Sequence, residues 1–276
     1  MFRRTMTGMH RMFGIRRAVN EGSLLIAAVI GMGVAISAGQ HALQGESILG
    51  KHARDSAPLV IPAERAYVPA MYHSSGLPTE VRLDVPFITQ APYGDWSSPY
   101  DEACEEASVA MAIAWVRGHP PAGGLIPSER ADTEILRLVD FENYYFGYNN
   151  DTALRETVKL ITDYYHYPRV KIFYDISTDD IRRALAACNI VILPVAGALL
   201  SNPNYISPPP YHMVVVKGYD DQTQEFIVND PGTRHGEDYH YPYATLWNAI
   251  HDWTGSDETI MSGRKGMIVV GTGERK

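Results

Sequence analysis

The chain has 276 residues, 45% of them hydrophobic and 20% charged, which is the composition of a folded domain with extensions and not of a disordered or collagen-like chain. Its net charge of −8 hides an asymmetry: residues 1–39 hold five arginines and one glutamate, and the remainder holds 19 basic against 31 acidic residues. An acidic body argues against nucleic acid as a partner.

The basic lead, residues 1–22, runs into the apolar stretch LLIAAVIGMGVAISA from Leu24 to Ala38. A basic flank before such a run predicts a membrane-targeting segment over 23–39, with the amino terminus inside. Small residues near Ala35, Ser37 and Ala38 suit cleavage as a signal, whereas the long lead suits an uncleaved anchor. Either way the acidic body is expected outside the cytoplasm. Residues 40–80 have no sustained period and read as a linker, so one domain is expected over 81–276.

Within that domain Val81–Thr89 reads as a strand that Pro86 confines to a sheet edge. Gln90–Tyr100 is a loop. Glu102–Arg117 carries a helical pattern with Asp101 as cap and Gly118 and Pro120 as stop signals. Residues 127–139 and 151–165 also read as helices, and Thr178–Cys188 as a capped one. The period then changes: Ile190–Val195, His212–Val216, Glu225–Val228 and Met267–Val270 are short Val- and Ile-rich runs bounded by Gly, Pro and Asp. Helices first and strands later predict an α+β domain.

Two cysteines lie 84 positions apart and read as thiols. Cys104 stands in D-E-A-C-E-E-A-S, where its acidic neighbours disfavour a thiolate. On the predicted helix it falls in the first turn, where free N–H groups and the helix dipole favour an anion. Ala107, Ser108, Met111 and Trp115 lie within about 60° of it, and Glu102 and Glu106 lie on the far face. A cysteine leading a buried stripe is also a good small hydrophobe, so a reactive role requires a base. His212 supplies a candidate. The runs around Gly218–Gln224 predict a hairpin whose register sets His212 opposite Gly232, with Asp230 diagonal to it on the same face and Asn229 on the other. An imidazole beside a carboxylate has the geometry of a base held by an orienting group. A turn-forming Asp-Pro-Gly explains Asp230 equally well.

V-P-F-I-T-Q at 85–90, E-A-C-E-E-A-S, Y-H-M-V-V-V-K-G-Y-D at 211–220 and F-I-V-N-D-P-G at 226–232 together resemble the C39-like cysteine peptidase domain of bacteria, a relative of bacteriocin-leader peptidases. The resemblance implies a papain-like α+β fold over about 81–272, with a helix bearing the cysteine packed on an antiparallel sheet bearing the histidine and aspartate. It implies Cys104 as nucleophile, His212 as base, Asp230 as its orienter and Gln90 as an oxyanion donor, acting on a peptide or protein without a cofactor or metal. Glu105 stands where the family often has a small residue, and 14 positions separate Gln90 from Cys104. His235, Glu237, Asp238 and His240 have no metal-site spacing and read as a polar loop. Tyr144, Tyr145, Phe146 and Tyr148 read as packing under a loop, and Asn202–Pro210 as a stiff loop that could rim the site. No phosphate-binding loop of the transporter type occurs. Silent binding of peptide or cell-wall material, and acyl transfer to an amine, are the alternatives to hydrolysis.

Overall fold

A computed structural model describes residues 76–119 and 124–272. The basic lead, the apolar run and most of the expected linker lie outside the described residues. None of the described helices is long and apolar enough to cross a membrane.

One antiparallel sheet of seven strands organises the chain: β1 (Glu80–Arg82), β2 (Val170–Tyr174), β3 (Asn189–Val195), β4 (His212–Asp220), β5 (Glu225–Asn229), β6 (Tyr239–Pro242) and β7 (Gly266–Gly271). Their order is β2-β7-β3-β4-β5-β6, with β1 paired to the carboxyl end of β4. Side chains alternate along each strand, so the sheet builds two cores. Met213 and Val215 of β4 and Ile190 and Ile192 of β3 face a layer containing α1 (Cys104–Val116), α2 (Ser128–Tyr145) and α3 (Leu154–Lys159). Val214 and Val216 face the other way, with Ile181 and Leu185 of α4 (Thr178–Ala186) and Leu246 of α5 (Tyr243–Ala249). The expected α+β layout, a cysteine-bearing helix on an antiparallel sheet, is the layout found.

Several boundaries differ from expectation for local reasons. Only Val81 and Arg82 of the predicted Val81–Thr89 strand, together with Glu80 before it, pair along β4. Beyond it, Lys217 Nζ and Asn229 Nδ2 donate to the Val85 carbonyl and Asn229 also to that of Pro86, so side chains replace the ladder that proline interrupts. The helix predicted at 127–139 continues to Tyr145 and stops before Gly147, which has φ 88°. The 151–165 helix is shorter, and passes into a π-helical turn at Leu160–Tyr164. α4 is capped one residue early, by Ser177, whose hydroxyl accepts from Asp180 N–H while the Asp180 carboxylate accepts from Ser177 N–H. Strands β2 and β6 and helix α5 had no expectation; they are short, and prolines flank or end two of them.

α1 is the central helix. Every residue from Cys104 to Trp115 is buried, Glu105 and Glu106 included. A helix enclosed on all sides has no solvent face for its polar residues, so the expectation of a single apolar stripe with carboxylates turned away is corrected here.

Candidate active site

Cys104 is the first residue of α1, and Ala103 is the cap. Asp101, expected as cap, instead lies in a 3-10 turn over Tyr100–Glu102. Gln90 holds that turn: its Nε2 donates to the carbonyls of Tyr100 at 2.9 Å and Asp101 at 3.1 Å. The backbone N–H of Gln90 donates to Pro231 O at 2.9 Å. One residue therefore ties the start of the cysteine helix to the turn that follows Asp230. Gln90 is 5% exposed, and its Oε1 has no hydrogen-bond partner among the described residues.

One carboxylate touches the sulfur. Cys104 Sγ donates to Glu105 Oε2 at 2.9 Å, while Glu105 Oε1 accepts from Thr152 N–H at 2.7 Å. Burial, the charges of Glu105 and Asp151, the bond to Glu105 and the charge of Glu106 together push the Cys104 thiol well above its ordinary range. Burial, then Asp151 and Glu106, likewise push Glu105 up. Glu106 meets Glu142 of α2 away from solvent, and burial leads in raising both, Glu142 to about 8. The acidic, largely buried setting of Cys104 thus favours the thiol over the thiolate.

The histidine has the opposite surroundings. β4 and β5 pair with Val216 opposite Val228 and Val215 opposite Asn229, the expected register, which carries His212 and Asp230 to one end of the sheet. His212 Nε2 lies 2.8 Å from Asp230 Oδ1. The other ring nitrogen, Nδ1, makes no hydrogen bond among the described residues. Asp230 Oδ1 also accepts from Gly232 N–H at 3.0 Å. Its Oδ2 accepts from Tyr205 Oη at 2.5 Å, Tyr241 Oη at 2.6 Å and Asn202 Nδ2 at 3.3 Å. Burial by itself raises the Asp230 carboxyl, but the His212 charge and these donors outweigh it and hold the group below the usual carboxylate range. Tyr205 stands edge-on to the imidazole with ring centroids 5.9 Å apart. A Cβ on Gly232 would come within 2.8 Å of His212 Cε1, so glycine is what allows the ring its position.

Cys104, His212 and Gln90 all line one cavity of about 590 Å³, and Asp230 lies behind His212. The four candidate residues are thus assembled at the amino end of α1 and the neighbouring end of the β4–β5 hairpin. The polar loop goes elsewhere for the most part. Asp238 pairs with Arg82 at 2.6 Å and Lys217 at 2.9 Å, and His240 with Glu225 at 3.1 Å. His235 alone of that group reaches the cavity wall. Among the described residues no set of three His, Cys, Asp or Glu side chains is placed to hold a metal ion. Tyr205, Tyr241 and Asn202 were not anticipated around Asp230. Only the position of N-P-N-Y-I-S-P-P-P immediately before His212 hinted at the first and last of them. Nothing in the spacing indicates Tyr241.

Residues 82–256 match the model of the family described as Peptidase_C39 like. Among solved structures, a C39-like peptidase from Bacillus anthracis aligns at 17% identity and TM-score 0.45, over 69% of this chain and 97% of that one. Xylellain, a cysteine protease from Xylella fastidiosa, aligns at 18% identity and TM-score 0.46, over 76% of this chain and 92% of that one. A search of curated proteins gave no match.

Proposed function

We propose a specific thiol hydrolase from one premise: the chain belongs to the C39-like peptidase family. Its reaction is hydrolysis of a peptide or related amide bond through an acyl-thioester on Cys104. The observation that supports this is the imidazole of His212, anchored through Nε2 to a buried carboxylate and carrying an unpartnered Nδ1 on the same cavity wall as Cys104. Cys104 Sγ attacks the carbonyl carbon while its proton passes to His212, and Asp230 stabilises the imidazolium. The oxyanion develops beside the first turn of α1, whose N–H groups lack intrahelical acceptors. Gln90 joins them by turning one amide hydrogen from the Tyr100 or Asp101 carbonyl. His212 then protonates the leaving amine, and water activated by the same base releases the acid and restores the thiol.

The basic lead and the apolar run support a domain held or released outside the cytoplasm. Fusions of residues 1–45 to alkaline phosphatase and to a fluorescent protein test this: phosphatase activity without fluorescence is expected, and the reverse pattern contradicts it.

A second reading, a silent module that binds peptide, draws support from the Glu105 contact that keeps the thiol protonated. Incubation with a random peptide mixture, read by mass spectrometry, separates the readings. New termini that depend on Cys104 are expected, and adducts with an added amine would show transfer instead. Identical peptide patterns from wild type and Cys104→Ala would leave only binding.

A further inference from the structure

We infer that Tyr205 is a positioning residue for the reaction: its hydroxyl pins the outer oxygen of Asp230 and its ring edge backs His212, so that the imidazole keeps Nε2 on the carboxylate and presents Nδ1 to the cavity. This deepens the hydrolase reading and rests on it for the reaction served.

Tyr205 stands between the cavity and the buried carboxylate. Its side chain lines the cavity that Cys104 and His212 share. Its hydroxyl donates at 2.5 Å to Asp230, which is fully buried and takes no part in the cavity wall. The same ring lies edge-on to the imidazole, and its Cε1 is 3.2 Å from the place a Cβ would take on Gly232. One side chain thus meets the orienter, the base and the glycine that makes room for the base.

The chemistry of a carboxylate explains what such a contact does. Asp230 Oδ1 takes the imidazole and the Gly232 N–H, and Oδ2 takes Tyr205, Tyr241 and Asn202. Turning the group about its own axis would break donors on both oxygens, so a full Oδ2 fixes the direction in which Oδ1 faces the ring. The three donors on Oδ2 are not equivalent. Tyr241 belongs to β6 and is 1% exposed, and Asn202 makes the longest bond at 3.3 Å. Tyr205 makes the shortest, and it alone of the three also lines the cavity, where water would otherwise compete for the carboxylate. Burial, then the charge of Asp230, push its phenol far above the usual range, so it stays a donor.

The loop is built to present that hydroxyl. Pro203 precedes Tyr205, and Pro208, Pro209 and Pro210 follow it, which restricts the backbone on both sides. Tyr205 N–H donates to Asn202 O at 3.3 Å, and Asn204 N–H to Asn202 Oδ1 at 3.0 Å. A Cβ on Gly197 would lie 2.5 Å from Pro209 O, so the far end of the loop is seated closely on the segment after β3.

The test uses Tyr205→Phe, which keeps the ring in the cavity and removes only the hydroxyl. With internally quenched peptides, kcat is expected to fall about tenfold, the scale of one hydrogen bond to a charged group, while KM stays within about twofold. An unchanged kcat overturns the inference, and so does a raised KM with kcat retained, which would make Tyr205 a substrate contact only. If the wild type cleaves no peptide, the hydrolase reading fails and proton NMR decides the inference. The His212 Nε2–H resonance, assigned by its absence in His212→Ala, should exchange with water about tenfold faster in Tyr205→Phe than in the wild type. Equal exchange in the two proteins, or exchange too fast to observe in the wild type, overturns the inference. A Tyr205→Phe protein that no longer melts cooperatively would assign the hydroxyl to stability and overturn it as well.

Discussion

Replacing Glu105 by glutamine isolates the electrostatic conflict at Cys104. Glutamine keeps the length of the side chain and an oxygen able to accept from Thr152 N–H, at 2.7 Å in the wild type, so the local packing is preserved. What it removes is a carboxylate 2.9 Å from the sulfur. A unit charge at that separation is worth roughly 6 kcal/mol at an effective dielectric near 20. Retaining only about a quarter of that, roughly 1.4 kcal/mol, changes the thiolate population tenfold. The sign is unambiguous, since Glu105 acts both by charge and by hydrogen bond to favour the thiol over the thiolate. Alkylation of Cys104 by iodoacetamide at pH 7, followed by peptide mapping with exposed Cys188 as internal reference, should therefore be about tenfold or more faster in Glu105→Gln. An unchanged or slower rate would show that burial alone sets the state of the sulfur and would refute the assignment of Glu105 as its restraint.

Asp230→Asn should cost about 3–5 kcal/mol in urea unfolding, because it removes the charge from a buried pair into which several donors converge; a loss below about 1 kcal/mol would contradict the network described. Gly232→Ala places a methyl within 2.8 Å of His212 Cε1, so peptide cleavage should fall about tenfold or more with the circular dichroism spectrum retained; unaltered kcat/KM would mean that the ring moves freely. The Glu142 carboxyl is raised from 4.5 to about 8, so its contribution to stability is fully present below pH 4.5 and is lost as pH rises through 8. The melting temperature of Glu142→Gln relative to wild type should accordingly be several degrees higher at pH 8 than at pH 5, and an equal difference at both pH values would count against a buried, proton-sharing pair.

How much of this was legible depends on the range over which the determining contacts act. The Val- and Ile-rich runs that became β3, β4 and β5 announce themselves by composition, and the short turn after Asp220 fixes which residues pair. A bulge between Val216 and Gly218 then shifts that pairing by one residue, and beyond it period-2 alternation puts His212 and Asp230 on one face and Asn229 on the other. The cysteine helix was equally plain, but its surroundings were not. Angular position around a helix tells which way Glu105 and Glu106 leave the axis, and says nothing of what waits there. Glu105 is turned back to Cys104 by the Thr152 backbone, and Glu106 is covered by Glu142, contacts that span many residues and follow only from the packing of α2 and α3. β2 and β6 escaped notice because VKIFY and YHYP lack the Val- and Ile-rich composition, bounded by turn residues, that marked the other runs.

The most direct measurement is the acylation of Cys104 itself. Wild type and His212→Ala are mixed with p-nitrophenyl acetate at pH 7, quenched in acid at successive times, and mapped for acetyl groups on Cys104 and Cys188. An acetyl-thioester on Cys104 is expected to form and turn over in the wild type and to form about a hundredfold more slowly without the His212 base, while Cys188 is acetylated equally in both. Acetylation of Cys104 no faster than that of Cys188, and indifferent to His212, would contradict a thiol hydrolase at this site.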